Sequence, residues 1–484
     1  MTSPTDYSTW GKEDLVKRIK LLEKRKKYGL VWDAEREPER VVLDCQKELP
    51  VLKEIKKNEI HSDENAVTHI LIEGDNYHAL SVLNYTHEKS VDLIYIDPPF
   101  NTGSSDFKYN DKFVGDEDSY RHSKWLSFMG HRLKLAKNIL KNSGVMLVHI
   151  DDNEFAQLKL LMDDVFGPAN FRNAIVWAYR TGGAPRKNDV FSSKHDYILF
   201  YSKDSNGFYF NKLKERIIYK KDFFSAKKDA DGQFYADVNL RDVIEGELTL
   251  LKDGDLYKEV NVKPVINLSS ERIPDFPTQK PKGLIRFLLE VLAPPNAVVL
   301  DFFAGSGSTA YSILELNNEY DKDYQFILCT NDENGICSNV CYPRLKKLMK
   351  GNKEAKTKVQ SLGGNLKYYR TAFVPAAPTD KNKELLTKQS IEMLVLKEGT
   401  FEKATDNPSY VIYRNSDKYT GIIFDQLSFD EFKRAILEVD KPISLYIFSL
   451  ADEDFSDDFA DTKGVIKICA IPEAILRVYR RIFR

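Results

Sequence analysis

Asp97-Pro98-Pro99-Phe100 puts a carboxylate, two prolines without backbone N–H and an aromatic ring into one turn. That set suits a flat molecule carrying an amino group. The ring stacks on its face, while the Asp97 carboxylate and the Pro98 carbonyl accept the two amino hydrogens. No N–H of either proline competes for those acceptors. An Asp-Pro turn that merely closes a strand is the ordinary reading of the same residues, and four positions alone do not decide between the two.

A second stretch, Asp301-Phe302-Phe303-Ala304-Gly305-Ser306-Gly307-Ser308-Thr309, follows an apolar run and precedes a helical pattern. Glycines at 305 and 307 let the backbone approach a ligand and adopt positive φ. No Lys-Ser/Thr pair follows them, which disfavours a nucleoside triphosphate. Ala310 stands where a dinucleotide fingerprint has its third glycine, which weakens that alternative. The loop suits a compact zwitterionic group beside an adenosine, as in S-adenosylmethionine. An ordinary strand-to-helix turn is the competing reading. The five cysteines are scattered, and Cys337 and Cys341 lack a second Cys or His pair nearby, so no metal site is expected.

The elements that must hold these turns alternate. Val91-Asp92-Leu93-Ile94-Tyr95-Ile96 reads as a buried parallel strand ending at Asp97, and Ala297-Val298-Val299-Leu300 as a strand ending at Asp301. Strands at 68–72, 145–150 and 325–330 and helices at 76–83, 120–141, 154–166 and 282–292 complete a βαβ pattern. Asp75 or Asn76 caps the first of these helices. The expected architecture is α/β: a Rossmann-like sheet at 61–169 and 276–350, a β-rich insertion at 170–275, an N-terminal helical arm at 1–60 and a C-terminal α+β domain at 351–484.

The two motifs together resemble the catalytic and cofactor motifs of amino-methylating DNA methyltransferases. The catalytic motif comes first, which is similar to the permuted order of the β group. Pro277-Thr278-Gln279-Lys280-Pro281 before the second motif and Gly74-Asp75-Asn76 before the first strengthen the likeness over roughly 65–350. The segments 12–32, 364–369 and 471–476 also resemble the modification (Mod) subunits of type III restriction-modification systems.

The resemblance implies a class I methyltransferase fold and S-adenosylmethionine-dependent methylation of adenine N6 in double-stranded DNA, the base being flipped out of the helix. Asp97, Pro98, Pro99 and Phe100 are then catalytic. Asp301, Phe303, Gly305 and Gly307 line the methionine part of the cofactor, Thr278 and Lys280 lie near its carboxylate, and Asp75 binds its adenine. Asn331 is the expected ribose contact, with Asp332 and Glu333 as alternatives. Phe302 departs from the proline common in relatives. A homodimer and a restriction (nuclease or translocase) subunit are the implied partners, and 170–275 is the implied target-recognition region.

Bulk properties are compatible with this. The net charge is −2, so DNA contact requires clustered basic residues, and these occur at Lys17–Lys27, Arg180–Lys194 and Lys212–Lys228, the last with Tyr219, Phe223 and Phe224. Apolar runs such as Leu284 to Leu292 are too short and charge-interrupted to span a bilayer, so no membrane partner is expected. The polar, then basic N-terminus lacks an apolar signal core, and the expected location is the cytoplasm of a bacterial or phage-infected cell, at the nucleoid through DNA. Cytosine-N4 methylation, and a specificity subunit serving a partner nuclease, are the alternative functions. Asp at 97, in place of the Ser frequent in cytosine-N4 enzymes, favours adenine.

Overall fold

The computed structural model describes residues 10–23, 32, 37–63, 66–103, 106–179, 191–222, 226–268, 271–273, 276, 278–320, 322–351, 360–451, 453–462 and 465–483. Pro277, Phe223, Phe224, Lys24–Lys27 and residues 180–190 of the second basic cluster lie outside the described residues.

Ten strands form the central sheet: β1 (Glu48–Glu54), β2 (Thr68–Glu73), β3 (Val91–Ile96), β4 (Leu140–Ile150), β5 (Phe171–Ala178), β6 (His195–Ser202), β7 (Val243–Glu245), β8 (Val298–Asp301), β9 (Gln325–Thr330) and β10 (Asn365–Pro375). Their spatial order is β1-β10-β2-β9-β8-β3-β4-β6-β5-β7. Pairing is parallel from β10 through β4, while β6 runs antiparallel between β4 and β5 and β1 runs antiparallel to β10.

β3 shows why the central strands read as apolar runs. All six of its residues are buried, because helices cover both faces of the sheet. Ile94 and Ile96 face the layer of α1 (Asn76–Thr86), α2 (Arg121–Ile139) and α3 (Phe155–Phe166). Leu93 and Tyr95 face α4 (Lys282–Leu292), α5 (Ser308–Tyr320) and α6 (Tyr342–Lys350). The one carboxylate in the strand, Asp92, is satisfied by Lys141 Nζ at 2.8 Å and by the Val298 N–H at 3.0 Å, which ties the start of β8 to β3.

The expected division of the chain shifts in three places. β5, β6 and β7 fall in the stretch 170–275 but belong to the central sheet. The separate sheet of the insertion, with strands Lys227–Lys228, Phe234–Asn239, Lys214–Tyr219, Glu247–Lys252 and Asp255–Asn261 in that spatial order, begins after β6. The stretch 1–60 holds the helix Lys12–Glu23 but also contributes β1. The C-terminal stretch contributes β10, and its own five-stranded sheet between Glu402 and Ile471 packs through Val411, Ile422 and Tyr446 into the same core as α1 and α2. Among the described residues no helix is long and apolar enough to cross a membrane.

Candidate active site

Both motif turns leave the carboxyl ends of adjacent parallel strands, β3 and β8, where open α/β sheets bind ligands. The first turn is held at both ends. Trp125 of α2 donates its indole N–H to the Pro99 carbonyl at 2.8 Å. Asn101, at φ +56°, turns the chain away and donates its side-chain amide to Glu154 at 2.6 Å; the same Glu154 oxygen lies 2.6 Å from His122 Nδ1. Burial raises the Glu154 carboxyl pKa.

Between those anchors, the two oxygens of Asp97 differ. Oδ2 accepts a hydrogen bond from Lys280 Nζ at 2.9 Å, whereas Oδ1 is buried and has no partner among the described residues. A buried acceptor without a donor costs free energy until something supplies one, so Oδ1 is the natural receptor for a ligand amine. The Lys280 ammonium also lies 4.8 Å from the Phe100 ring centroid. Phe100 is stacked on His149 at 6.0 Å and 16°.

His149 is fully buried and satisfied on both nitrogens. Nε2 lies 3.0 Å from Asp196 Oδ2 and Nδ1 3.3 Å from the Tyr95 hydroxyl, while Tyr179 donates to Asp196 Oδ1 at 3.1 Å. Burial, aided by the Lys280 cation, lowers the His149 pKa. Burial acts to raise the Asp196 carboxyl, but the hydrogen bond and charge of His149, the Lys280 cation and the Tyr179 hydroxyl together outweigh it, and the pKa is lowered. A neutral imidazole donating to an ionised Asp196 fits both directions.

The second turn uses its carboxylate differently. Asp301 Oδ1 accepts from the Phe303 N–H at 3.0 Å and Oδ2 from the Thr309 hydroxyl at 2.6 Å, so the side chain folds the loop onto the first turn of α5. It is almost fully buried, and burial pushes its carboxyl up to about 7. Gly305 and Gly307 both take positive φ, +49° and +77°. A Cβ on Gly305 would meet the Phe276 ring at 3.4 Å, whereas one on Gly307 would meet Cys341 Sγ at 3.3 Å, in the packing beneath the loop.

A third wall comes from the start of α1. Asp75 caps the helix by accepting the Tyr77 N–H at 2.7 Å, and Asn76 donates to the Phe302 carbonyl at 3.0 Å, joining segments far apart in the chain. Arg132 of α2, wholly buried, donates to Asn76 Oδ1 at 2.5 Å, pairs with Glu39 at 2.8 Å and Asp75 at 3.4 Å, and stacks on Phe128 at 3.6 Å.

These walls enclose a cavity of about 940 Å³. Asp97, Pro98, Pro99 and Phe100 line one end, and Asp75, Thr278, Lys280, Phe303, Gly305 and Asn331 line the rest. Asp301 and Gly307 are not in the lining; they shape the loop from behind. Glu333 lines the cavity and pairs with Lys108, while Asp332 instead accepts the Ser338 N–H at 2.8 Å. Sequence reasoning named Asn76 only as a helix cap and motif residue, and it missed Arg132 and the His149–Asp196–Tyr179 chain. Arg132 carries no local signal of burial, and its partner Glu39 is remote in sequence.

The lining offers polar side chains at Asp75 and Asn331, a glycine at 305, a cation at Lys280 and a carboxylate at Asp97, a set whose chemistry fits S-adenosylmethionine. Among the described residues no group of three His, Cys, Asp or Glu is placed to hold a metal.

Residues 91–337, just over half of the chain, match the family model for DNA methylase. The chain is 28% identical over 363 residues to the StyLTI Mod subunit of a type III restriction-modification enzyme from Salmonella typhimurium, covering 58% of this chain and 55% of that subunit. It is 26% identical over 398 residues to the EcoP15I Mod subunit of Escherichia coli, covering 58% and 61%. Against the type II methyltransferase M.KpnI of Klebsiella pneumoniae it is 30% identical over 318 residues, covering 51% and 76%. The chain thus spans less than two thirds of the length of either Mod subunit.

Proposed function

The chain belongs to the DNA methylase family, and from that premise we propose that it methylates the N6 amino group of adenine in double-stranded DNA. Asp97, which lines the same cavity as Gly305 and Phe303 and keeps one buried carboxylate oxygen without a partner among the described residues, carries this reading. S-adenosylmethionine supplies an electrophilic sulfonium methyl group when bound. An aromatic amine is a weak nucleophile because its lone pair is delocalised into the ring. Asp97 accepts an amino hydrogen, favouring a pyramidal nitrogen and stabilising the positive charge that develops on it. Phe100 stacks on the extruded base, since the amine must leave the duplex to meet the methyl group in line. His149 backs the ring, and Trp125 and Glu154 hold the turn that presents both groups.

The insertion supplies the DNA-facing side of this reading. Its guanidinium groups are held by carboxylates, Arg216 by Asp237 at 2.7 Å and Arg241 by Glu215 at 2.6 Å, and Arg216 stacks on Tyr235 at 4.2 Å. Oriented cations of this kind suit base edges and phosphates. By likeness to the Mod subunits we assign the chain the modification role in a restriction-modification system, as a homodimer working with a restriction subunit, at the nucleoid.

The test is to incubate unmethylated genomic DNA with the protein and methyl-labelled S-adenosylmethionine, digest to nucleosides and identify the product by mass spectrometry. Labelled N6-methyladenine is the expected result. N4-methylcytosine alone would transfer the assignment to the smaller base, and no labelled nucleoside would reject it.

A further inference from the structure

Two groups are expected to hold the target amine, the Asp97 carboxylate and the Phe100 ring, and one ammonium touches both. Lys280 Nζ is 2.9 Å from Asp97 Oδ2 and 4.8 Å from the Phe100 centroid, with its side chain mostly buried. A cation there opposes the reaction, because positive charge must build up on an amine held at that same carboxylate. It also occupies the ring against which a base would stack. Lys280 lines the cavity together with Gly305 and Phe303, so a carboxylate bound along that loop lies within the domain its flexible four-carbon stem can search.

We infer that Lys280 is a gate that exchanges partners: it neutralises Asp97 while the methyl donor is absent and moves to the donor's carboxylate when it binds. This rests on the reading of the cavity as an S-adenosylmethionine site. The exchange moves no bond and no proton; one ion pair breaks as another forms. Its consequence is linkage. Donor binding and exposure of the amine receptor favour each other, so the protein grips a flipped base only after the methyl group is in place.

Binding of S-adenosylhomocysteine and of 5′-methylthioadenosine, measured by calorimetry without DNA, tests the gate. The second probe keeps the adenosine and lacks the amino-acid end. Asp97→Asn frees Lys280 from its present partner and tightens S-adenosylhomocysteine about 3- to 10-fold. Lys280→Met weakens it by a similar factor or more. In the double variant the Asp97 substitution has no further effect, since the ion it would release is gone. 5′-Methylthioadenosine binds all four proteins equally, which also shows that each is folded. Unchanged or weaker S-adenosylhomocysteine binding by Asp97→Asn would overturn the gate, as would unchanged binding by Lys280→Met. Failure of the unaltered protein to bind either probe would instead reject the cofactor reading on which the gate stands.

Discussion

The turns after β3 and β8 begin alike, an aspartate at the carboxyl end of a buried parallel strand, and put that aspartate to opposite use. Asp97 keeps one buried oxygen without a partner among the described residues, whereas Asp301 commits both of its oxygens to the loop that follows it. The two strands are neighbours in the sheet, so position on the fold does not separate the roles. What separates them is the donors nearby. After Asp97 come two prolines, which offer no N–H; after Asp301 come the Phe303 N–H and, eight residues on in the first turn of α5, the Thr309 hydroxyl. A carboxylate becomes a working group here because its own chain declines to satisfy it.

Substitution at each turn tests that contrast, and the largest effect belongs to Asp97. Asp97→Ala should lower the methylation rate by about 10²- to 10³-fold, the scale of losing one charge-stabilising group, with the protein still folded. Near-normal single-turnover rates in that variant would break the comparison. Asp301→Ala should show the reverse emphasis. It leaves the Phe303 N–H and Thr309 hydroxyl buried without acceptors and should cost about 2–4 kcal/mol in urea unfolding.

Titration sharpens the same point. The Asp301 carboxyl is held up to about 7 by burial, against roughly 3.9 in an unfolded chain, so between those values the native state holds the extra proton. Its stabilising contribution is complete below the unfolded value and is lost as pH rises through 7. Relative to Asp301→Asn, which does not titrate, the unaltered protein should lose stability from pH 4 to 8, by on the order of 4 kcal/mol at most. A flat difference over that range would place the carboxyl elsewhere on the pH scale.

Smaller changes divide the loop itself. Gly305→Ala and Gly307→Ala should each cost about 1–2 kcal/mol for a side chain at positive φ, yet only Gly305→Ala should also weaken S-adenosylhomocysteine, because only Gly305 faces the cavity. The smallest effect is expected behind Phe100. Tyr179→Phe removes one hydrogen bond to Asp196 and should lower the methylation rate about 2- to 10-fold, read in single turnovers, with the protein still folded.

Much of the frame was legible because buried parallel strands are continuous apolar runs; β2, β3, β4, β8 and β9 all appear at or within a few residues of their expected positions. β5 and β6 were visible as strands, but nothing local says that a chain leaving β4 returns to pair antiparallel with it. β1 and β10 escaped for a related reason: they pair with each other more than 300 residues apart, β10 also pairs with the equally remote β2, and sequence pattern carries no pairing at that range. At the site, Asp97 and Asp301 both read as ligand-facing carboxylates, and only their hydrogen-bond partners show that Asp301 serves its own loop. Arg132 was hidden because its burial is the work of Glu39 and Asp75, both outside its own helix.

The strand order also fixes a sequence of events in time. β2 and β3 are made early, yet in the sheet they are separated by β9 and β8, which are made some two hundred residues later. Until those two arrive, the middle of the sheet is missing and the first strands have no lasting neighbour on that side. Contacts this distant along the chain close slowly. The amine receptor after β3 is therefore synthesised long before the cofactor loop that must stand beside it. On a ribosome, the two turns stand side by side only when β8 and β9 have slid into place.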